Sequence, residues 1–327
     1  MDYKKADGNK IFKCIAGSHS YGTNTPESDT DYRGIFVSPL HYLVGLDNVE
    51  EVHNPTNDDV LYEIRKYIHL ASKCNPNILE LLFIDDQHIL FHNKFYDRIR
   101  DSRDLFLSTL CRHTFSGYAH AQLHKIKRHR GYLMNPPDHK PIRAEFNLPY
   151  ESRVPKDYRA AMLTIPDTYL KEEYGVYIRD ELRYENALKD WNSYQDWHKT
   201  RNPKRQELEA KFKYDTKHAM HLVRLINMGE EILTKGTLTV FRPEREELKA
   251  IRNGAWSYDE LLQFSDNIDK RFEDLEKKST LPFSVNIKAI RTLLLGVLSE
   301  FYGVDLQKDC NNDEVPETPH VQSGQKA

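Results

Sequence analysis

A chain of 327 residues, 39% hydrophobic and 30% charged, is long enough to bury a sizeable core, and two domains is the expectation from length. Its formal net charge of −3 excludes a generic polyanion binder, so a nucleic-acid surface has to come from local clustering. Four cysteines (Cys14, Cys74, Cys111, Cys310) without a CxxC pair argue against a disulfide framework or a cysteine zinc site. With no apolar run near the ~20 residues that span a bilayer, a soluble, cytoplasmic protein is expected.

"KIFKCIAGS" reads as a strand that ends at Gly17-Ser18. "SHSYGTNTPESDT" is punctuated as a loop or short helix, and "DYRGIFVSP" is a second strand stopped by Pro39. "DDVLYEI" is a third, with Asp59, Leu61 and Glu63 on one side. The spacing of Ile64, Tyr67, Ile68 and Ala71 then predicts a helix, and Asn75 with Pro76 opens the next. These elements form a compact α+β unit to about residue 100. Helical pattern runs from Asp104 to about 134, followed by the proline-rich "MNPPDHKPIRAEFNLPYESRVP" and a weakly periodic insertion with some helix from about 155 to 205. "YDTKHAMHLVRLINMGEEILTKG" is a strong helix stopped at Gly236. "LTVFRPER" reads as a short strand or hairpin. "YDELLQFSDNIDKRFEDLEKK" reads as an amphipathic helix capped by Ser257, and "NIKAIRTLLLGVLSEFYG" as a last helix. The polar residues 306–327 are expected to be a disordered tail.

The chemistry concentrates in "GSHSYGTNTPESDTDYRG". Carboxylates at i and i+2 of a strand share a face, so Asp29 and Asp31 are expected to converge. Two like charges that close call for a cation, and oxygen ligands without cysteine suit Mg²⁺ or Mn²⁺. A Gly-Ser turn offers backbone N–H groups and a hydroxyl to phosphate oxygens. Together these parts suit metal-assisted phosphoryl or nucleotidyl transfer. Arg33, two residues past Asp31, shares the carboxylate face and suits either an aspartate or a phosphate.

The order strand, Gly17-Ser18, spacer, Asp29-Thr30-Asp31 resembles the nucleotidyltransferase superfamily related to DNA polymerase β. "SDTDYRGIFV", "DDVLYEIRKYIHLASKCNPNILELLF", "KHAMHLVRL" and "FRPEREELKAIRNG" further resemble the RlaP family of predicted nucleotidyltransferases, linked to RNA repair and also found in phages. The resemblance implies an α+β fold: a small mixed-sheet palm over residues 1–104, then a mainly helical domain over 105–305 with the connection and insertion at about 135–205. It implies that Gly17 and Ser18 bind the triphosphate and that Asp29 and Asp31 hold Mg²⁺ or Mn²⁺. A third carboxylate comes from a neighbouring strand, Asp59 or Glu63, with Asp59 favoured. The reaction implied is transfer of an NMP from an NTP to an acceptor hydroxyl such as an RNA end. A protein acceptor, or an idle nucleotide- or RNA-binding protein, is the alternative.

Helices outside such a palm often touch the nucleotide. Lys217, His221 and Arg224 form a cationic stripe at helical spacing, with Lys217 and Arg224 expected to contact phosphate and Arg242 and Arg245 to extend the rim. "RHTFSGYAHAQLHKIKRHRGY" supplies a basic, aromatic-bearing surface for RNA or nucleotide phosphates. His120 and His124 within it have metal-ligand spacing but no evident third ligand. No Walker-type phosphate loop is present.

Overall fold

A computed structural model describes residues 1–155, 158, 161, 172–201 and 203–306. The expected tail from 307 onward and Cys310 lie outside the described residues. The fold is α+β, a five-stranded mixed sheet followed mostly by helices. No helix among the described residues is long and apolar enough to cross a membrane.

Asp2 caps α1 (Tyr3–Gly8), its side chain accepting from the Lys5 N–H at 2.9 Å. The sheet holds β1 (Lys10–Ala16), β2 (Asp31–Phe36), β3 (Glu51–His53), β4 (Asp59–Glu63) and β5 (Ile89–His92) in the order β3-β4-β2-β1-β5. The β2–β4 pair is parallel and the other three are antiparallel. Short helices α2 (Gly17–Ser20) and α3 (Leu40–Val44) flank β2. Then come α4 (Ile64–Ser72), α5 (Pro76–Leu79), a 3₁₀ turn (Glu80–Leu82) and α6 (Lys94–Asp101). Asn75 caps α5 and Pro76 takes its first position, as the sequence predicts.

Alternation divides the sheet into two faces. On one, Phe36, Val52 and Leu61 pack with Ala6 of α1 and with Val49. On the other, Phe12 stacks on Tyr96 of α6 with ring centroids 3.9 Å apart, and the Tyr96 hydroxyl donates to the Leu81 carbonyl at 2.8 Å. The Glu80–Leu82 turn therefore covers the Phe12 face.

The later helices are α7 (Cys111–Met134), α8 (Glu172–Thr200), α9 (Pro203–Phe212), α10 (Thr216–Lys235), α11 (Arg245–Arg252), α12 (Tyr258–Ser265), α13 (Ile268–Glu276) and α14 (Ile287–Tyr302). Two expectations change here. The "LTVFRPER" segment forms no strand. Its N–H groups are taken by the Glu231 carboxylate (from Thr239, 3.3 Å), Asp85 (from Phe241, 3.2 Å) and the Tyr21 carbonyl (from Arg242, 3.2 Å). The amphipathic helix after Ser257 breaks in two at Asn267, whose φ is 62°. Ser257 does cap the first piece, its hydroxyl accepting from the Glu260 N–H at 3.2 Å while the Glu260 carboxylate accepts from the Ser257 N–H at 2.7 Å. The weakly periodic insertion contains α8, 29 residues long.

The chain forms two compact units. The first comprises Met1–Ala121, Met220–Ala250 and Ser265 onward; the second comprises Gln122–Ala219 and Ile251–Phe264. The division differs from the expected boundary at 104/105 because α14 packs on α4 and α6 and so joins the sheet's unit. Within the second unit, Arg143 forks onto the buried Glu181 carboxylate, which also accepts from Tyr177 and Ser152 at 2.7 Å each. Tyr132, Tyr194 and Trp197 pack as an aromatic cluster.

Candidate active site

The site begins where β1 gives way to α2. Gly17 has φ +65°, and a Cβ built on it would stand 2.5 Å from Asp31 Oδ2. Only glycine takes both this backbone conformation and this approach at little cost. The antiparallel register pairs Ala16 with Asp31, which brings the carboxylate beside the turn. The N–H groups of a helix's first turn have no intrahelical acceptor, so the start of α2 at Gly17-Ser18 is a source of backbone donors beside Asp31. Asp31 opens β2, while Asp29 precedes the strand in irregular chain and is exposed. The two aspartates are thus a loop and a strand carboxylate, not alternate residues of one strand. Arg33 shares the Asp31 face and lies 3.9 Å from Oδ1 of that aspartate.

The register separates the other two expected carboxylates from this pair. Residues opposite one another in a sheet share a face. Asp31 pairs with Ala16, and Arg33 with Cys14 and Val60; Asp59 pairs with Tyr32, and Glu63 with Phe36. Asp59 and Glu63 therefore occupy the face opposite Asp31, and neither completes a triad with it. Each has a structural partner there. The buried Asp59 lies 2.6 Å from Lys13 Nζ and accepts from the Tyr3 hydroxyl. Burial and the Asp59 hydrogen bond push the Tyr3 phenol up to about 12. Burial lowers Lys13, but hydrogen bonding to Asp59 and Tyr3 outweighs it and holds the ammonium above its ordinary range. Glu63 caps α4, accepting from the Arg65 N–H at 2.9 Å and from Arg65 Nε at 3.0 Å, and also takes the Ser38 hydroxyl at 3.2 Å. Lys66 is held by Glu50 at 2.7 Å.

The carboxylate on the Asp31 side is Glu80, in the turn that covers the Phe12 face. It is buried, accepts from the Tyr21 hydroxyl at 2.6 Å and lies 3.5 Å from Arg224 Nη1. Burial raises its pKa, opposed by Arg224, Tyr21 and Arg33. Sequence reasoning missed it; its one signal was a lone acid inside the apolar run "NILELLFI". Arg224, expected at a phosphate, is instead 5% exposed and stacks on the Tyr21 ring with its guanidinium carbon 3.8 Å from the centroid. Tyr21 ends α2, donating its N–H to the Gly17 carbonyl at 3.2 Å. Arg224 and Glu80 therefore brace the Gly-Ser turn from beneath. Gly22, with φ +71°, lets the following chain close on Phe241, which a Cβ there would meet at 2.7 Å.

The remaining cations are distributed differently from the expected stripe. Lys217 is exposed and belongs to the second unit, whereas the half-buried His221 belongs to the first. Arg242 is buried between Glu231 (2.6 Å) and Glu244 (2.9 Å), which removes it from any rim; Arg245 keeps partial exposure over the Phe241 ring. On α7, His120 pairs with Asp269 at 3.0 Å and His124 is exposed, so the two do not form a metal pair. Lys125, Lys127 and Arg128 are exposed.

The segment carrying this site is similar to known proteins. The RlaP family model, described as RNA repair pathway DNA polymerase beta family, matches residues 3–134. An uncharacterized 38.9 kDa protein of the nrdC-mobD intergenic region of Enterobacteria phage T4 is 30% identical over 129 residues, which cover 35% of this chain and 38% of the relative. The match thus spans well under half of that relative's length. No solved structure matches.

Proposed function

We propose that this chain transfers an NMP from an NTP to an acceptor hydroxyl, an RNA end being the acceptor that the matched family's description favours. The observation that carries the reading is the approach of Gly17 to Asp31. A phosphate-binding type of turn and a carboxylate meet at a spot where a Cβ would stand 2.5 Å from Asp31 Oδ2.

The donor set fits a hard divalent cation. Asp31 is partly exposed, Asp29 is exposed, both offer only oxygen, and Arg33 stands 3.9 Å from Asp31 Oδ1. Asp29 and Asp31 would hold Mg²⁺ or Mn²⁺, which supplies charge neutralisation at the attacking and leaving oxygens. The chain's own residues do the rest. The Gly17-Ser18 turn offers N–H donors to phosphate oxygens, and Arg33 adds positive charge on the same face. Glu80, Tyr21 and Arg224 keep the turn from yielding as charge develops, the preorganisation on which such catalysis depends. The acceptor hydroxyl gives up its proton to solvent as its oxygen bonds the α-phosphorus, the bond from that phosphorus to the α,β-bridging oxygen breaks, and pyrophosphate leaves with that oxygen. Asp59 and Glu63, on the far face, hold α1 and α4 in place.

The test is incubation with each α-labelled NTP, Mg²⁺ or Mn²⁺, and RNA or protein acceptors. Label is expected in RNA with release of pyrophosphate. Label in protein without RNA would favour the protein-modifying reading, and nucleotide binding without turnover the idle one. Undiminished transfer by the Asp29→Ala/Asp31→Ala protein would overturn the assignment of the site.

A further inference from the structure

The second unit holds a cluster that nucleotidyl transfer does not use. His129 on α7, Asp215 just before α10 and His218 in the first turn of α10 bring one ligand atom each to within 4.8 Å of one another. All three belong to the second unit. Asp215 is fully buried, and its two oxygens have different tasks. Oδ1 accepts from the His218 N–H at 3.0 Å and caps α10. Oδ2 is turned toward His129 Nδ1 and His218 Nε2, which stand 3.6 Å from it on separate elements.

These contacts do not have the form of hydrogen bonds. Charge-assisted N–H···O contacts close to about 2.7–2.9 Å. A tetrahedral site with bonds of ~2.0–2.1 Å instead spaces its ligand atoms roughly 3.3 Å apart. Asp215 Oδ2 and His129 Nδ1 are both buried without a hydrogen-bond partner. The tautomer of His218 is set from its other side: Nδ1 is 2.7 Å from Oε1 of the Gln122 side-chain amide, an acceptor, so Nδ1 carries the proton. A neutral His218 then turns the lone pair of Nε2 toward a carboxylate oxygen. An outer partner that fixes the ring in this way is the usual companion of a metal-bound histidine. Arg205 supplies the cation that Asp215 now meets, its Nη2 2.6 Å from Oδ2 in a geometry that makes no hydrogen bond. Its Nε and Nη2 are buried, and Nε also stands 3.8 Å from the buried Glu209 carboxylate, so Arg205 is the cation a metal would have to displace. The rings of His129 and Trp197 lie 5.5 Å apart, forming an apolar wall beside the cluster.

The geometry points to a zinc-type divalent transition-metal site formed by His129, Asp215 and His218, which ties α7 to the start of α10 and keeps a coordination position open. Two imidazoles and one carboxylate select such an ion over Mg²⁺, so the site is chemically distinct from the oxygen-only pair at Asp29 and Asp31.

The test is a Zn²⁺ titration of the chelator-stripped full chain in the Asp29→Ala/Asp31→Ala background, in excess Mg²⁺, with Co²⁺ absorption as a second readout. One equivalent is expected, with a tetrahedral Co²⁺ spectrum. Gln122→Leu and His129→Gln should each weaken binding by about 10–100-fold. Arg205→Met, which removes the competing cation, should tighten it by tenfold or more. Folding of each variant is checked by circular dichroism, and Arg205→Met leaves all three ligands in place should a histidine variant misfold. Failure of the folded parent and of Arg205→Met to bind Zn²⁺ at micromolar concentration would overturn the site. So would binding that His129→Gln and His218→Gln leave unchanged.

Discussion

At the residue scale, the reading depends on what a single atom does. A Cβ at Gly17 meets Asp31 Oδ2 and forces a non-glycine residue into the left-handed region. Gly17→Ala should cost only about 1–2 kcal/mol of stability yet lower transfer by roughly 100-fold, the scale of losing one preorganised donor; urea unfolding and single-turnover label transfer separate the two effects. Glu80 gives the converse case. Glu80→Ala leaves the Arg224 charge buried without its partner, so a loss of about 3–5 kcal/mol in urea unfolding is expected. Glu80→Ala/Arg224→Met should recover part of it, because the stranded charge is gone. A single-mutant loss below about 1 kcal/mol would show that Tyr21 alone carries the brace.

At the scale of elements, local pattern was legible and pairing was not. β1, β2, β4 and α4, and the Asn75-Pro76 start of α5, follow from periodicity and capping that a short window contains. The placement of Asp59 does not. It depends on the parallel pairing that sets Tyr32, not Asp31, opposite it, and a slip of one residue would reverse the face. Nothing local in "DDVLYEI" carries that information. Likewise α1 and the short edge strands β3 and β5 are stabilised by what they pack against, and Glu80 acquires its place only when the 3₁₀ turn lies over Phe12. The Gly17, Asp31 and Arg33 part of the candidate site was readable because β1, the turn and β2 are consecutive. Its brace was not, since Tyr21, Glu80 and Arg224 come from three distant stretches. In the second unit, α8 is fastened by Glu181. Burial opposes ionisation there, but hydrogen bonds from Arg143, Tyr177 and Ser152 prevail and lower the carboxyl to about 2 from an ordinary 4.5. A depressed folded pKa means that the unfolded state binds the proton first. This contribution is therefore complete above about pH 4.5 and lost as pH falls toward about 2. Glu181→Gln should flatten that part of the stability–pH curve measured by urea unfolding, and an unchanged slope would remove Glu181 as its source.

At the scale of the whole molecule, the charge of −3 conceals local clustering of charge. Exposed Lys125, Lys127 and Arg128 form a local basic stretch on the second unit, while Gly17 and Asp31 of the proposed transfer site belong to the first. If RNA is the acceptor and this stretch holds its backbone, replacing all three by alanine should reduce the log–log salt slope of RNA binding by roughly 2, the single-strand value for three phosphate contacts. NTP binding measured without RNA should not change. The central claim is the division of labour between the sheet's two faces, with Asp31 on the reacting face and Asp59 holding α1 behind it. Label transfer from an α-labelled NTP by Asp31→Asn and Asp59→Asn, each confirmed as folded, tests this most directly. The account predicts that Asp31→Asn loses at least roughly 100-fold while Asp59→Asn stays within about threefold of wild type at a temperature where it remains folded. Equal losses in both, or a loss confined to Asp59→Asn, would contradict it.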